Sequence, residues 1–195
     1  MRYFLLLGYL SVSITCTYAE NMHLPVKNKF SISTGYIGGG ENFSDDKEEL
    51  HGFFVKGAVK TSPHIGFYIE YNKQKISILK FNEVTAGTQY KFYSGKKING
   101  LVGGGVGYMW LDQKLGDSNA LAVDLKLKYI TTPLFIEGEA RLSEHLSYFS
   151  NLSYQWLFNY DSKACFTIKG IQTTCDSIKV NANGLVYKLG LRYHF

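Results

Sequence analysis

Proline is rare in this chain, 3 in 195 residues, and charge is thin, with Asp, Glu, Lys and Arg making up 19%. The formal net charge is only +5 and no basic cluster runs longer than Lys96-Lys97, so the electrostatic footprint of a nucleic-acid binder is absent. Beyond the first residues no apolar run approaches the about 18 residues of a membrane helix. Cysteines number 3, and no histidine lies near the pair Cys165 and Cys175, which argues against a metal site there. Nothing calls for a cofactor. What is present in quantity is Gly 20, Tyr 15 and Phe 13, within a hydrophobic share of 45%. That share excludes a disordered chain, and the mixture favours strands over helices.

Residues 1–19 have the layout of a cleaved export signal. Arg2 precedes an apolar stretch from Phe4 to Ile14, and Thr17 and Ala19 place small residues before Glu20. The stretch is shorter than the about 20 residues a spanning helix needs. Acylation at Cys16 is the alternative, but Ser13-Ile14-Thr15 is a poor lipoprotein box. Residues 20–195 then form one domain. In an oxidising compartment, Cys165 and Cys175 are expected to form one disulfide across a small loop.

The mature chain alternates at period two. Leu185, Tyr187, Leu189, Leu191, Tyr193 and Phe195 share one face, while Val186, Lys188, Arg192 and His194 share the other. A helix would mix these sets and a strand separates them. The same alternation marks Ile65–Tyr71, Val84–Phe92 and Leu146–Phe158. The apolar faces match the about 9–11 residues of a tilted membrane strand. Aromatics stand at their ends: Tyr71, Phe92, Trp110, Tyr129, Phe158 and Tyr193 to Phe195. A soluble β-sandwich, which also alternates, is the structural rival.

The expected strands are 28–38, 50–60, 65–72, 81–92, 98–110, one within 120–142, 146–159 and 179–195. An acidic loop, Glu41 to Glu49, would follow the first, and a Lys- and Asn-rich loop the third. Short turns alternate with longer loops, as when one end faces the periplasm and the other the outside. The sixth strand carries a phase slip. Leu121 to Tyr129 are apolar at odd positions, and Leu134 to Leu142 at even ones. Either a bulge sits near 130–133, or two strands meet at Thr131-Thr132-Pro133. Eight strands return the C-terminus to the right side, and nine do not. The fold class is therefore all-β: an eight-stranded antiparallel up-and-down transmembrane β-barrel.

The closing residues Leu189-Gly190-Leu191-Arg192-Tyr193-His194-Phe195 resemble the assembly signal of Gram-negative outer-membrane barrels. With the export signal and the alternating hairpins, the chain resembles the small eight-stranded family typified by OmpX and the OmpA membrane domain. The resemblance is architectural. It implies an outer-membrane location, contact with membrane lipid and lipopolysaccharide, and insertion by the barrel-assembly machinery, which would read Leu191, Tyr193 and Phe195.

Inward charges of both signs, chiefly Glu70, Glu137, Glu139, Arg141, Lys188 and Arg192, are expected to form a lumenal plug, since unpaired buried charge is costly. Arg141 follows Glu137 and Glu139 on one face, as a salt-bridge ladder would. Asp124, Lys126 and Lys128 extend the set. The outer-membrane lipid A deacylase uses His-x-Ser with a downstream Glu. Here His145-Leu146-Ser147 has the pair, but no Glu follows Glu144, so an enzyme is not expected. The remaining expectation is a non-enzymatic barrel acting through surface loops, in adhesion, host contact or envelope integrity. The alternative is a narrow channel for small solutes or ions. The cysteine loop, with Phe166 and Ile168 between the cysteines, serves either as a host- or surface-ligand site or as a protease-resistant cap.

Overall fold

Period-two segments with one apolar and one polar face pair edge to edge until no edge remains. The computed structural model describes residues 29–43, 46–76, 78–115, 121–168, 174–177 and 179–195. The leader expected at 1–19 lies outside the described residues. Eight strands close the barrel: β1 (Phe30–Phe43), β2 (Asp46–Lys60), β3 (Ile65–Ile76), β4 (Leu79–Ser94), β5 (Ile98–Leu115), β6 (Leu121–Arg141), β7 (Leu146–Asn159) and β10 (Ala182–His194). Each pairs antiparallel with its neighbour, and β1 with β10 completes the ring from Ser31↔His194 to Phe43↔Ala182. Two short strands, β8 (Lys163–Ile168) and β9 (Thr174–Ser177), form a hairpin added to the far end of β6.

At the end where the chain enters and leaves, the turns are tight. The Thr61 and Ser62 amides donate to the Ile65 carbonyl, and those of Leu142 and Ser143 donate to the Leu146 carbonyl. In each turn a serine hydroxyl, Ser62 or Ser143, accepts from the amide of the returning strand. The Phe195 amide donates to the Phe30 carbonyl and ties the two chain ends together.

The eight barrel strands run 12 to 21 residues, longer than a bilayer requires. Their amphipathicity reverses along the way. In β3, Ile65, Phe67, Ile69 and Tyr71 face outward, and then Lys73 and Lys75 do. Inside, Glu70, Asn72 and Gln74 give way to Ile76. In β5 the outward series Val102, Val106, Tyr108, Trp110 passes into Asp112 and Lys114, while Met109 and Leu111 are buried inside. Each wall is thus apolar outside and polar inside over one belt, which suits hydrocarbon. Beyond the belt it is polar outside and apolar inside, which suits water. Aromatic rings mark the change. Tyr108–Trp110, Tyr154–Trp156 and Tyr36–Tyr187 pair around it at 5.7, 4.8 and 6.2 Å between ring centres. Phe30, Phe195 and Tyr193 mark the opposite rim.

This reversal corrects several expectations. The phase slip in the sixth strand is neither a bulge nor a turn. β6 is one strand of 21 residues whose register with β5 is the same before and after Pro133. Odd residues from Leu127 to Glu139 face inward. Only the apolar character changes sides, from Leu127 within to Leu134 and Ile136 without. The bulge lies in β4, where Phe92 has no partner between Lys91↔Leu101 and Tyr93↔Gly100. Tyr129 is not a girdle residue; it is buried in the lumen. The acidic segment and the Lys-rich segment are largely strand, because sheet pairing continues past the membrane belt. Residues 44–45 lie outside the described residues.

Candidate functional site: the closed lumen and the outer rim

Alternation sends every second side chain into the barrel, and pairing register decides which of them meet. Arg192 lies near the turn end. Its Nη1 is 2.9 Å from Glu139 Oε2, its Nη2 is 2.7 Å from Glu137 Oε1, and its Nε donates to Ser33 Oγ at 2.9 Å. The guanidinium also lies 4.7 Å from the centre of the Phe149 ring. One level further in, Lys56 Nζ stands 3.5 Å from Glu137 Oε2, between the Tyr68 and Phe135 rings at 4.6 and 4.7 Å. Lys188 pairs with Glu70. Of the charges expected in the plug, the structure brings together Glu70, Glu137, Glu139, Lys188 and Arg192, with Lys56 among them. Arg141 does not join: it ends β6 at the rim, exposed, opposite Ser147, and the ladder expected from it is made by Arg192 instead. Asp124, Lys126 and Lys128 have even parity and face outward, so they are not lumenal either.

Glu83 occupies the next level. Among the described residues it has no cationic partner, and it is held by neutral donors: Thr131 Oγ1 at 2.6 Å, Gln155 Nε2 at 2.7 Å, Asn72 Nδ2 at 2.9 Å and Thr85 Oγ1 at 3.2 Å. Charge-assisted bonds of this kind satisfy a buried carboxylate without a counterion. Above it, Phe81, Met109, Leu127, Tyr129 and Leu157 close the lumen with apolar packing, while Phe54 and Phe149 pack edge to face lower down, beside Lys188 and Arg192. Reasoning from inward charge alone did not find this seal. The signal for it was parity, since apolar residues continue past each outer aromatic on the opposite face.

Glycines in β5 make the filling possible. A Cβ on Gly105 would fall 2.7 Å from the Tyr68 hydroxyl, and one on Gly103 would fall 2.5 Å from the Phe135 ring. Phe135 therefore lies over its β5 partner Gly103, and Tyr68 reaches past β4 to Gly105, only because β5 is bare there. The space left among the charges is about 10 Å³, room for about one water.

Outside the belt, β8 and β9 stand on β6. Cys165 and Cys175 face each other across them and are disulfide-bonded. Ser162 Oγ accepts from the Lys128 amide and from Asn159 Nδ2, docking the hairpin on the barrel. Asp161 sits between Lys163 and Lys128, at 3.4 and 3.5 Å. Lys163 above all, then Lys128, holds its carboxyl below the usual carboxylate range. Tyr160 and Phe166 are exposed on this projection.

The chemistry open to the lumen is limited by geometry. Ser147 Oγ and Glu139 Oε1 both approach the same nitrogen of His194, Nε2, at 3.1 and 2.9 Å. A nucleophilic triad needs the serine on one ring nitrogen and the carboxylate on the other. His145 is turned away, with Nδ1 donating to the His194 carbonyl. Among the described residues no three His, Cys, Asp or Glu side chains gather as a metal site.

A closed antiparallel ring of eight strands, greasy outside and charged within, is the architecture of the small outer-membrane β-barrel proteins. Comparison with solved structures places the chain among them by fold. It superimposes on Neisserial surface protein A with a TM-score of 0.63 at 12% identity, over 85% of this chain and 97% of that one. Outer membrane protein OprG from Pseudomonas aeruginosa matches at 0.57 and 17% identity, over 87% and 96%. A major outer membrane protein from Thermus thermophilus matches at 0.57 and 12%, over 85% and 99%. No protein-family description matches the chain, and no curated protein matches its sequence.

Proposed function

We propose that this protein is a non-enzymatic outer-membrane barrel that works through its outward end, in adhesion, host contact or envelope integrity, and not by conducting solutes. Residues 1–19 would export it, and Leu191, Tyr193 and Phe195 would present its last strand to the barrel-assembly machinery. The observation that carries this reading is the filled bore. A layer of paired charges with about 10 Å³ of free space lies beneath an apolar seal. A path for ions needs continuous water, and each strand spends its inward residues on closing that path. The constructed feature on the other side is the disulfide-pinned β8–β9 hairpin, which holds Tyr160 and Phe166 in water. Apolar residues ordered before contact bind at lower entropic cost.

Planar-bilayer recording of the refolded chain tests the choice. No stepwise conductance is expected from wild type. Regular steps that disappear in Lys188→Ala would replace this reading with that of a narrow channel.

A further inference from the structure

We infer that Lys73, Lys75 and Lys80, on the outward face of β3–β4, bind the phosphates of an anionic lipid in the outer leaflet; the inference rests on the outer-membrane reading above. Three observations carry it. The first is position. The Tyr71 hydroxyl donates to Asn82 Oδ1 at 2.8 Å, and that pair marks where the wall turns polar. Lys73 is the next outward residue on β3 and lies directly opposite Asn82, while Lys75 lies directly opposite Lys80. Lys73 therefore starts from the level of that boundary, and Lys75 and Lys80 start two residue steps beyond it, about 7 Å along the strands. That is the level of lipid phosphates.

The second is charge without compensation. Lysines placed directly opposite one another on a sheet destabilise it. Among the described residues, none of these three lies within ion-pair distance of a carboxylate. The adjoining wall is different: there Lys114 pairs with Asp124 at 3.9 Å, Lys126 with Asp112 at 3.8 Å, and Lys128 and Lys163 with Asp161. Among the described residues, the lysines of one side are paired with carboxylates and those of the other are not.

The third is what lies beneath. Phe53 stands directly opposite Lys73 on β2, and below Lys73 the wall continues into hydrocarbon as Tyr71 and Ile69, all exposed, with the small residues Gly57 and Ala86 flanking Ile69 across the strands. Cations above a low apolar strip match an amphiphile with an anionic head and acyl tails. They do not match a free anion, which would gain nothing from the strip. The long lysine stems let the ammonium groups settle at headgroup depth.

The test uses the full mature chain folded in phosphatidylcholine nanodiscs, with diphosphorylated lipid A as probe and Trp110, opposite Asn82, as fluorescence reporter. The apparent Kd is expected to rise roughly fivefold per lysine removed, and about a hundredfold in Lys73→Gln/Lys75→Gln/Lys80→Gln. Dephosphorylated lipid A should bind no better than phosphatidylcholine, and inorganic phosphate should not compete at equal concentration. The control Lys114→Gln/Lys126→Gln should shift Kd by no more than about twofold. Wild-type affinity in the triple variant, equal loss in the control, or competition by free phosphate would each overturn the assignment. Heat-modifiable gel mobility shows that each variant has folded, and the single Lys75→Gln variant carries the test if the triple does not fold. Failure of wild type itself to enter the nanodisc would instead count against the outer-membrane reading.

Discussion

Arg192 is where the charges of the lumen converge. It faces two carboxylates, Glu137 and Glu139, and Lys56 reaches only one of them. Removing the guanidinium leaves buried Glu139 with His194 and Ser147 as its hydrogen-bond partners. Breaking a buried pair by deleting one partner costs about 3–5 kcal/mol, most of it from the charge left behind. Arg192→Met is therefore expected to lower the midpoint of the heat-modifiable mobility transition markedly, and Arg192→Met/Glu139→Gln should recover part of the loss. A double variant no better than the single one would mean that the stacking of Arg192 on Phe149 matters more than its charge. Parity showed in the sequence that Arg192, Glu137 and Glu139 face one space. It did not separate Arg192 from Arg141, because both have the inward phase. Level along the barrel separates them, and level depends on pairing register, which one strand read alone does not contain.

At the scale of the element, the strand centres were legible and the strand ends were not. Ile65–Tyr71 and Val84–Phe92 read as strands because their outward residues are apolar, yet β3 and β4 continue to Ile76 and start at Leu79. Past the belt the exposed positions become Lys73, Lys75 and Lys80, and a reader who expects apolar residues outside takes polar strand for loop. The β8–β9 hairpin escaped for a related reason: its strands of 6 and 4 residues are too short to show a period. The cysteines did announce the link between them. Closing a segment of 10 residues stabilises the hairpin by about 3 kcal/mol in a chain-entropy account. Cys175→Ser is therefore expected to speed amide exchange in β8 and β9, while the β1–β10 ladder exchanges as before. Faster exchange throughout the barrel would show instead that the hairpin supports the ring.

The whole molecule is two proteins end to end on one set of strands. In the belt it is built for hydrocarbon, and beyond the belt it is built as a small water-soluble barrel with an apolar core. This places the solvent boundary at the aromatic ring pairs and gives each outward position a depth. Val106 is at mid-belt, exposed, beside Ala86 on β4; Asp112 lies on the same face of β5 beyond Trp110. If the wall meets lipid, an arginine at Val106 must sit near the bilayer centre, at a cost of about 2–4 kcal/mol. Asp112→Asn, which removes only an exposed pair with Lys126, should change stability by less than about 1 kcal/mol. Both values are read from reversible denaturant unfolding in phospholipid vesicles. A β-sandwich in water would reverse the expectation, since an outward Val106 would then be a solvent position and arginine there would cost almost nothing. Equal stability of Val106→Arg and wild type would therefore remove the membrane from the account of this fold, and with it the reason for the reversal of faces along β3, β5 and β6.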